Sequence, residues 1–281
     1  MPLQDDMPLG DVPLGEEPLG EEVWSAESGH AHHPLIVLVH GAMDRSASML
    51  KLSRRLDDEY RVLRYDRRGY GHSAAHPGPF AMADQVADLV GLLAGRRAVL
   101  VGHSYGGNVA MATAAQHGNL VAGVAIYESP LPWEPFWPPT SVKASAAGAS
   151  APTMEQAADA AEAFMRRLIG HERWLALPER TRLSRRAEGM ALVNELKDLR
   201  EHKPWDGSDV KVPVIVGVGS RAGERYRSGM AHVADSIAGA SLVCLQDRDH
   251  DAPTAAPDQF RRELIEPLLQ RVGPPWRTAS D

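Results

Sequence analysis

The segment Gly102-His103-Ser104-Tyr105-Gly106 sets a serine between an apolar run, Ala98-Val99-Leu100-Val101, and a helix-forming run over residues 108–115. A G-x-S-x-G pattern at a strand–helix junction is a nucleophile elbow. The tight turn forces the serine into strained backbone angles, and the flanking glycines leave room for the crossing chain. The hydroxyl then stands at the head of a helix, whose N–H groups face a developing oxyanion. A serine hydroxyl attacks a carbonyl well only when a base removes its proton, so a histidine must be brought to it. The chain offers 12 histidines, and position must choose among them. Taken alone, the pentapeptide also fits a Gly-rich turn with a chance serine.

Other reactive side chains point to less. Cys244 lies in Ser241-Leu242-Val243-Cys244-Leu245, where it reads as a small core residue of a buried strand. As the single cysteine, it excludes an intramolecular disulfide. His30, His32 and His33 are close enough in sequence to suggest a metal site. No cysteine or carboxylate is spaced with them, so a loop is the expectation. Arg166, Arg167, Arg180, Arg182, Arg185 and Arg186 alternate with Glu172, Glu179 and Glu188, as on a solvated helix face. No phosphate-cradling loop or G-x-G-x-x-G follows the first buried strand, and the chemistry calls for neither cofactor nor metal.

Composition narrows the partners. The 281 residues are 43% hydrophobic and 24% charged, ordinary for a soluble globular protein. The net charge is -7, yet residues 1–30 hold eight acids and no Lys or Arg. The remainder, near +1, presents no large charge for nucleic acid or an anionic membrane to read. No apolar run approaches the roughly 18 residues of a membrane span, and no secretory leader is recognisable. A cytoplasmic protein acting on a small molecule, without nucleic acid or membrane, is expected. Nothing in the sequence marks an oligomeric state.

These residues need elements to position them. Residues 1–22 repeat Pro-Leu-Gly with acids, and are expected to be a disordered acidic tail because Pro and Gly break helix and sheet. Leu35-Ile36-Val37-Leu38-Val39 reads as a strand buried on both faces of a parallel sheet. Strand and helix patterns then alternate through residue 127, which predicts a parallel α/β sheet. The rhythm breaks at Glu128, followed by Pro130, Pro132, Pro135, Pro138 and Pro139. Helical patterns over 154–168 and 180–200 follow, and strand–helix order resumes at Val212. The expected division is a core of 23–130 and 209–272 with a helical cap of 131–208.

The chain resembles the α/β-hydrolase family in four motifs that occur in its order. These are His40-Gly41 after a buried strand, Asp66-x-Arg68-Gly69-x-Gly71-x-Ser73, the Ser104 elbow, and His250 after the last strand. The resemblance covers residues from about 23 to 270. It implies a mostly parallel sheet of about eight strands, with a helical cap inserted after the sixth. It also implies Ser104 as nucleophile, His250 as base, and an oxyanion hole from the backbone N–H groups of Tyr105 and Ala42, with Met43 beside it lining the pocket. His40 would support the oxyanion loop.

The acid departs from the commonest pattern of that family, which sets it in the turn after the seventh strand. Here that turn reads Gly219-Ser220-Arg221-Ala222-Gly223-Glu224, with Ala222 in the expected slot. Glu128, ending the sixth strand, is the first choice, since some members carry their acid there and a carboxylate among apolar neighbours is costly unless paired. Glu224 is the second choice; Asp247, Asp249 and Asp251 come last.

The expected activity is hydrolysis of a carboxylic ester or lactone of a mostly apolar small molecule by a Ser-His-Glu triad through an acyl-enzyme. Four of six tryptophans lie in 133–205, and Trp133 and Trp137 are candidate substrate contacts. The same triad would serve a C–C, thioester or amide hydrolase. Epoxide hydrolase and dehalogenase chemistry are disfavoured, because those relatives use an aspartate where this chain has Ser104. A non-catalytic hydrolase-fold protein that binds a small molecule is the alternative from another class, motivated by Ala222.

Overall fold

The structure is a computed structural model, and it describes residues 9–13, 22–137 and 152–273. Its strands are β1 (Leu9–Pro13), β2 (Ser25–Gly29), β3 (Leu35–Val39), β4 (Arg61–Tyr65), β5 (Ala98–His103), β6 (Val121–Tyr127), β7 (Val214–Gly219) and β8 (Ser241–Leu245). They form one eight-stranded sheet in the order β1-β2-β4-β3-β5-β6-β7-β8. The pairs β1–β2 and β2–β4 are antiparallel, and every other pair is parallel.

The alternation of side chains along a strand makes two cores. In β3, Leu35, Val37 and Val39 enter the core on one face, while Ile36 and Leu38 enter the core on the other. That double burial explains the unbroken apolar run. All seven residues of β6 are buried. Helices α1 (Leu50–Ser53), α2 (Met82–Leu93) and α3 (Tyr105–Gln116) connect the first parallel strands. Among the described residues four helices stand between β6 and β7: α4 (Met154–Ile169), α5 (His171–Ala176), α6 (Glu179–Ala187) and α7 (Gly189–Glu201). After β7 come α8 (Glu224–Ser236), α9 (Ala252–Ala255), α10 (Pro257–Phe260) and α11 (Glu266–Val272). Residues 138–151 of the expected cap lie outside the described residues.

Two expectations need correction. Leu9–Pro13 lies within the stretch expected to be a disordered tail, yet pairs with β2 as the first strand of the sheet. An edge strand is laddered on one side only, and so tolerates a proline that a central strand would not. The rest of 1–21 lies outside the described residues. Cys244 is exposed, not a core residue. Its strand, β8, closes the other end of the sheet, and Leu242 and Cys244 both face outward.

The sheet brings four chain reversals together. Val101 pairs with Ala125, Tyr127 with Gly217, and Gly219 with Leu245, so β5 to β8 end side by side. Backbone hydrogen bonds carry the ladder past the strand ends. Ser104 N–H donates to Tyr127 O at 2.9 Å, Glu128 N–H to Gly217 O at 3.1 Å, and Arg221 N–H to Arg248 O at 2.9 Å. In open parallel sheets this carboxyl edge is where ligands bind.

Candidate active site

Ser104 sits between β5 and α3 with φ 53° and ψ -124°. Side chains with a Cβ rarely adopt such angles, and strain of this kind costs about 1–3 kcal/mol. Positive φ recurs at Met43 (55°) and Glu128 (47°). With Asp247 (59°), which follows β8, four residues of positive φ from four separate loops belong to this one edge of the sheet. Gly106 explains how α3 reaches so close: a Cβ there would lie 2.3 Å from Val39 O and 2.5 Å from His40 O. Gly41 is packed on the serine itself, its missing Cβ only 3.0 Å from Ser104 Cβ and 3.5 Å from Oγ. The loop 40–43 thus lies directly against the hydroxyl.

Glu128 follows directly on β6 and reaches the chain ending β7 and the chain after β8, with 1% of its surface exposed. Its Oε1 accepts Gly219 N–H at 2.9 Å. Its Oε2 is 2.8 Å from His250 Nδ1, and a carboxylate only accepts, so Nδ1–H donates. This leaves Nε2 as the basic nitrogen of the ring. Glu224 lines the same cavity but does not bond the ring: it is exposed and holds Arg227 Nη2 and Ser228 Oγ, each at 2.7 Å. Asp247 pairs with Arg221 at 3.1 Å. Ala222 is buried and lines a cavity of about 400 Å³ with Glu128, Arg225, Tyr226 and His250.

Several residues that sequence reasoning gave no role hold His250. Tyr127 donates its hydroxyl to Asp249 O at 2.8 Å, and His103 Nε2–H donates to His250 O at 2.8 Å. Burial and the neighbouring His250 lower the His103 pKa to about 3, so that ring stays neutral. Tyr226 stacks on the His250 ring at 5.1 Å. A polar residue beside the elbow serine, and a tyrosine ending the neighbouring strand, were the signals available.

The loop beside Ser104 is heavily bound. His40 is fully buried; its Nδ1–H donates to Gly41 O at 2.8 Å, and its Nε2 accepts Arg67 N–H at 2.9 Å. Burial, with the Arg67 charge, lowers its pKa to about 3. Arg67 Nε donates to His40 O at 3.0 Å and Nη2 to Gly41 O at 3.1 Å. Arg185, expected on a solvated face, is turned inward and donates to Met43 O at 2.6 Å. Glu188 takes Gly71 N–H at 3.1 Å and pairs with Arg45. Of the remaining arginines, Arg166 pairs with Glu162, and Arg186 with Glu155, Asp159 and Glu162.

The other expected contacts, Met43, Trp133 and Trp137, are not among the residues that line that cavity. Met43 is 2% exposed and Trp137 is 6% exposed. Trp137 meets Tyr226 edge-on at 5.4 Å, and Trp133 meets Trp205 at 5.9 Å. Trp205 donates to Asn108 on α3 at 3.2 Å, which ties the inserted aromatics to the helix behind Ser104. Among the described residues no group of three or more His, Cys, Asp or Glu side chains is arranged to hold a metal, and no helix is long and apolar enough to cross a membrane.

The alpha/beta hydrolase family model matches residues 36–263, and the chain belongs to that family. The Mesorhizobium japonicum 2-(acetamidomethylene)succinate hydrolase is 35% identical over 94 residues, 32% of this chain and 34% of that protein. Epoxide hydrolase A of Mycobacterium tuberculosis is 36% identical over 121 residues, 41% of this chain and 37% of that protein. The chain thus spans little more than a third of these curated relatives. The enol-lactonase of Burkholderia xenovorans LB400 superposes with a TM-score of 0.62 at 25% identity, over 85% of this chain and 94% of that one.

Proposed function

We propose that the chain is a serine hydrolase that cleaves a carboxylic ester or lactone of a mostly apolar small molecule, acting in the cytoplasm. The observation that carries the reading is the 2.8 Å bond from His250 to buried Glu128 beside a strained serine elbow. Ser104 Oγ attacks the substrate carbonyl carbon while its proton passes to His250 Nε2. Glu128 holds the ring in the Nδ1–H tautomer and offsets the imidazolium charge. The N–H groups of Ala42 and Tyr105 receive the oxyanion. Collapse expels the alkoxide, which takes the proton from His250, and leaves an acyl-Ser104. Water then gives a proton to His250 and its oxygen to the acyl carbon, and the second tetrahedral species collapses to release the acid and restore Ser104.

The serine separates this reading from the epoxide hydrolase named among the relatives, since Ser104 forms an ester where an aspartate would open a ring. Similarity to an enol-lactonase supports an oxygen ester over a C–C, thioester or amide bond. Met43, Trp133 and Trp137 are assigned to the apolar substrate. A fluorophosphonate should label the folded wild type, and Ser104→Ala should lose both labelling and turnover. A folded wild-type chain that resists the probe would favour the binding-only alternative.

A further inference from the structure

We propose that Glu195, on inserted helix α7, is a positioning residue: it holds Arg67 against the carbonyls of His40 and Gly41 and so aims the oxyanion donor of Ala42. The inference rests on the serine-hydrolase reading above.

Peptide planarity supplies the mechanism. In a trans peptide the C=O of one residue and the N–H of the next point in opposite directions. Gly41 C=O is held by two donors, Arg67 Nη2 at 3.1 Å and His40 Nδ1 at 2.8 Å. Fixing that carbonyl fixes Ala42 N–H the other way. His40 C=O, held by Arg67 Nε at 3.0 Å, fixes the preceding plane in the same manner. The Arg67 guanidinium also lies over the Tyr105 ring at 4.5 Å, and Tyr105 carries the second expected donor. One cation therefore holds the peptide that carries one expected donor and packs on the ring of the residue that carries the other.

That cation is fully buried, and burying a charge is costly unless it is paired. Its partner is Glu195, fully buried and 128 residues away, whose Oε2 takes Arg67 Nη1 at 2.8 Å. Glu195 Oε1 accepts the Tyr70 hydroxyl at 2.6 Å, and Tyr70 lies under the guanidinium at 5.0 Å. Without the carboxylate, Arg67 has a charge to satisfy and two carbonyls to abandon. Arg185 adds a second hold from the inserted helices, on Met43 C=O. The helices between β6 and β7 thus act on the catalytic loop through its carbonyls, besides covering it.

The test uses the full chain and two variants. Glu195→Gln keeps the shape and removes the charge. Arg67→Met with Glu195→Met replaces the buried pair by apolar groups, a change that often leaves stability intact, and it decides the question if the first variant does not fold. Hydrolysis of p-nitrophenyl butyrate gives kcat and KM, and butylboronic acid reports affinity for a tetrahedral serine adduct. Outright loss of an oxyanion donor costs ~10²–10³ in kcat, so misaiming one is expected to cost about 10–100-fold. KM should stay within about twofold, and boronate affinity should fall by the same factor as kcat. Folded variants with wild-type kcat overturn the proposal, as does a loss of kcat with unchanged boronate affinity. A wild type that neither hydrolyses the ester nor binds the boronate overturns the serine-hydrolase reading itself, and the clamp with it.

Discussion

Glu128 and His250 are 122 residues apart in sequence and 2.8 Å apart in space. The bond joins the chain after β6 to the chain after β8, two strands separated by β7 in the sheet. A glutamate is long enough for this reach, and its other oxygen is taken by Gly219 N–H from that same intervening strand. The carboxylate is therefore locked from two directions. Glu128→Gln should keep the fold and lower kcat by about 10²–10⁴, as loss of a triad acid does elsewhere. Glu224→Ala should leave kcat within about twofold, because that carboxylate, though it lines the same cavity, is held by Arg227 and Ser228 and not by His250. Steady-state kinetics of the two variants side by side check the assignment; equal losses would count against it.

Ala222 offers a gain-of-function test. It shares a cavity of about 400 Å³ with Glu128 and His250, so there is room for a carboxylate from the β7 loop. In a Glu128→Ala background, His250 Nδ1–H has lost its acceptor and a new one becomes valuable. Ala222→Asp added to that background should recover at least about tenfold of the lost kcat, since orienting and charge-balancing the imidazole is the acid's whole task. Absence of any recovery in a folded double variant would mean that this turn cannot reach the ring.

The sequence made some of this arrangement legible for definite physical reasons. β3, β6, β7 and all of β5 before His103 are buried on both faces, so they read as unbroken apolar runs. Glu128 was conspicuous because a carboxylate ending such a run needs a partner. Cys244 misled because an edge position depends on which strands pair, not on the strand's own composition. β1 was hidden for the same reason, its proline being tolerated only because one side of the strand is left unladdered. The Arg67–Glu195 pair was out of reach of motif reading. Arg67 stands inside a recognisable turn, but its partner comes from an ordinary amphipathic helix far along the chain.

Acid sensitivity follows from His40. Burial and the Arg67 charge hold its folded pKa at about 3, below the ordinary 6.5. Between those values the unfolded chain binds the extra proton, so stability rises with pH across the window. The contribution is fully present above pH 6.5 and is lost as pH falls toward 3. Within the window each such histidine adds about 1.4 kcal/mol per pH unit. His103, lowered for similar reasons, acts in the same direction. Urea unfolding at pH 5, 6 and 7 should show a falling wild-type stability. His40→Gln should be less stable throughout, with a slope shallower by about one proton; parallel slopes would count against a neutral buried His40.

Ser104 is held in a backbone conformation that its own side chain disfavours. At φ 53° and ψ -124° it holds a conformation that a glycine adopts without penalty. Its N–H is already satisfied by Tyr127 O at 2.9 Å, so the backbone need not move if the side chain is removed. Ser104→Gly should therefore abolish turnover. Its stability reflects two opposing terms, relief of about 1–3 kcal/mol of strain against about 0.5–1 kcal/mol of extra unfolded-state entropy. A net gain of up to about 2 kcal/mol over wild type is expected on these magnitudes. Ser104→Ala should abolish turnover equally, yet keep the strain, because it retains the Cβ that creates it. Chemical denaturation of the three proteins separates the terms: Gly above Ala in stability is the expected order, and Ala above Gly would show that the elbow is not strained by its side chain.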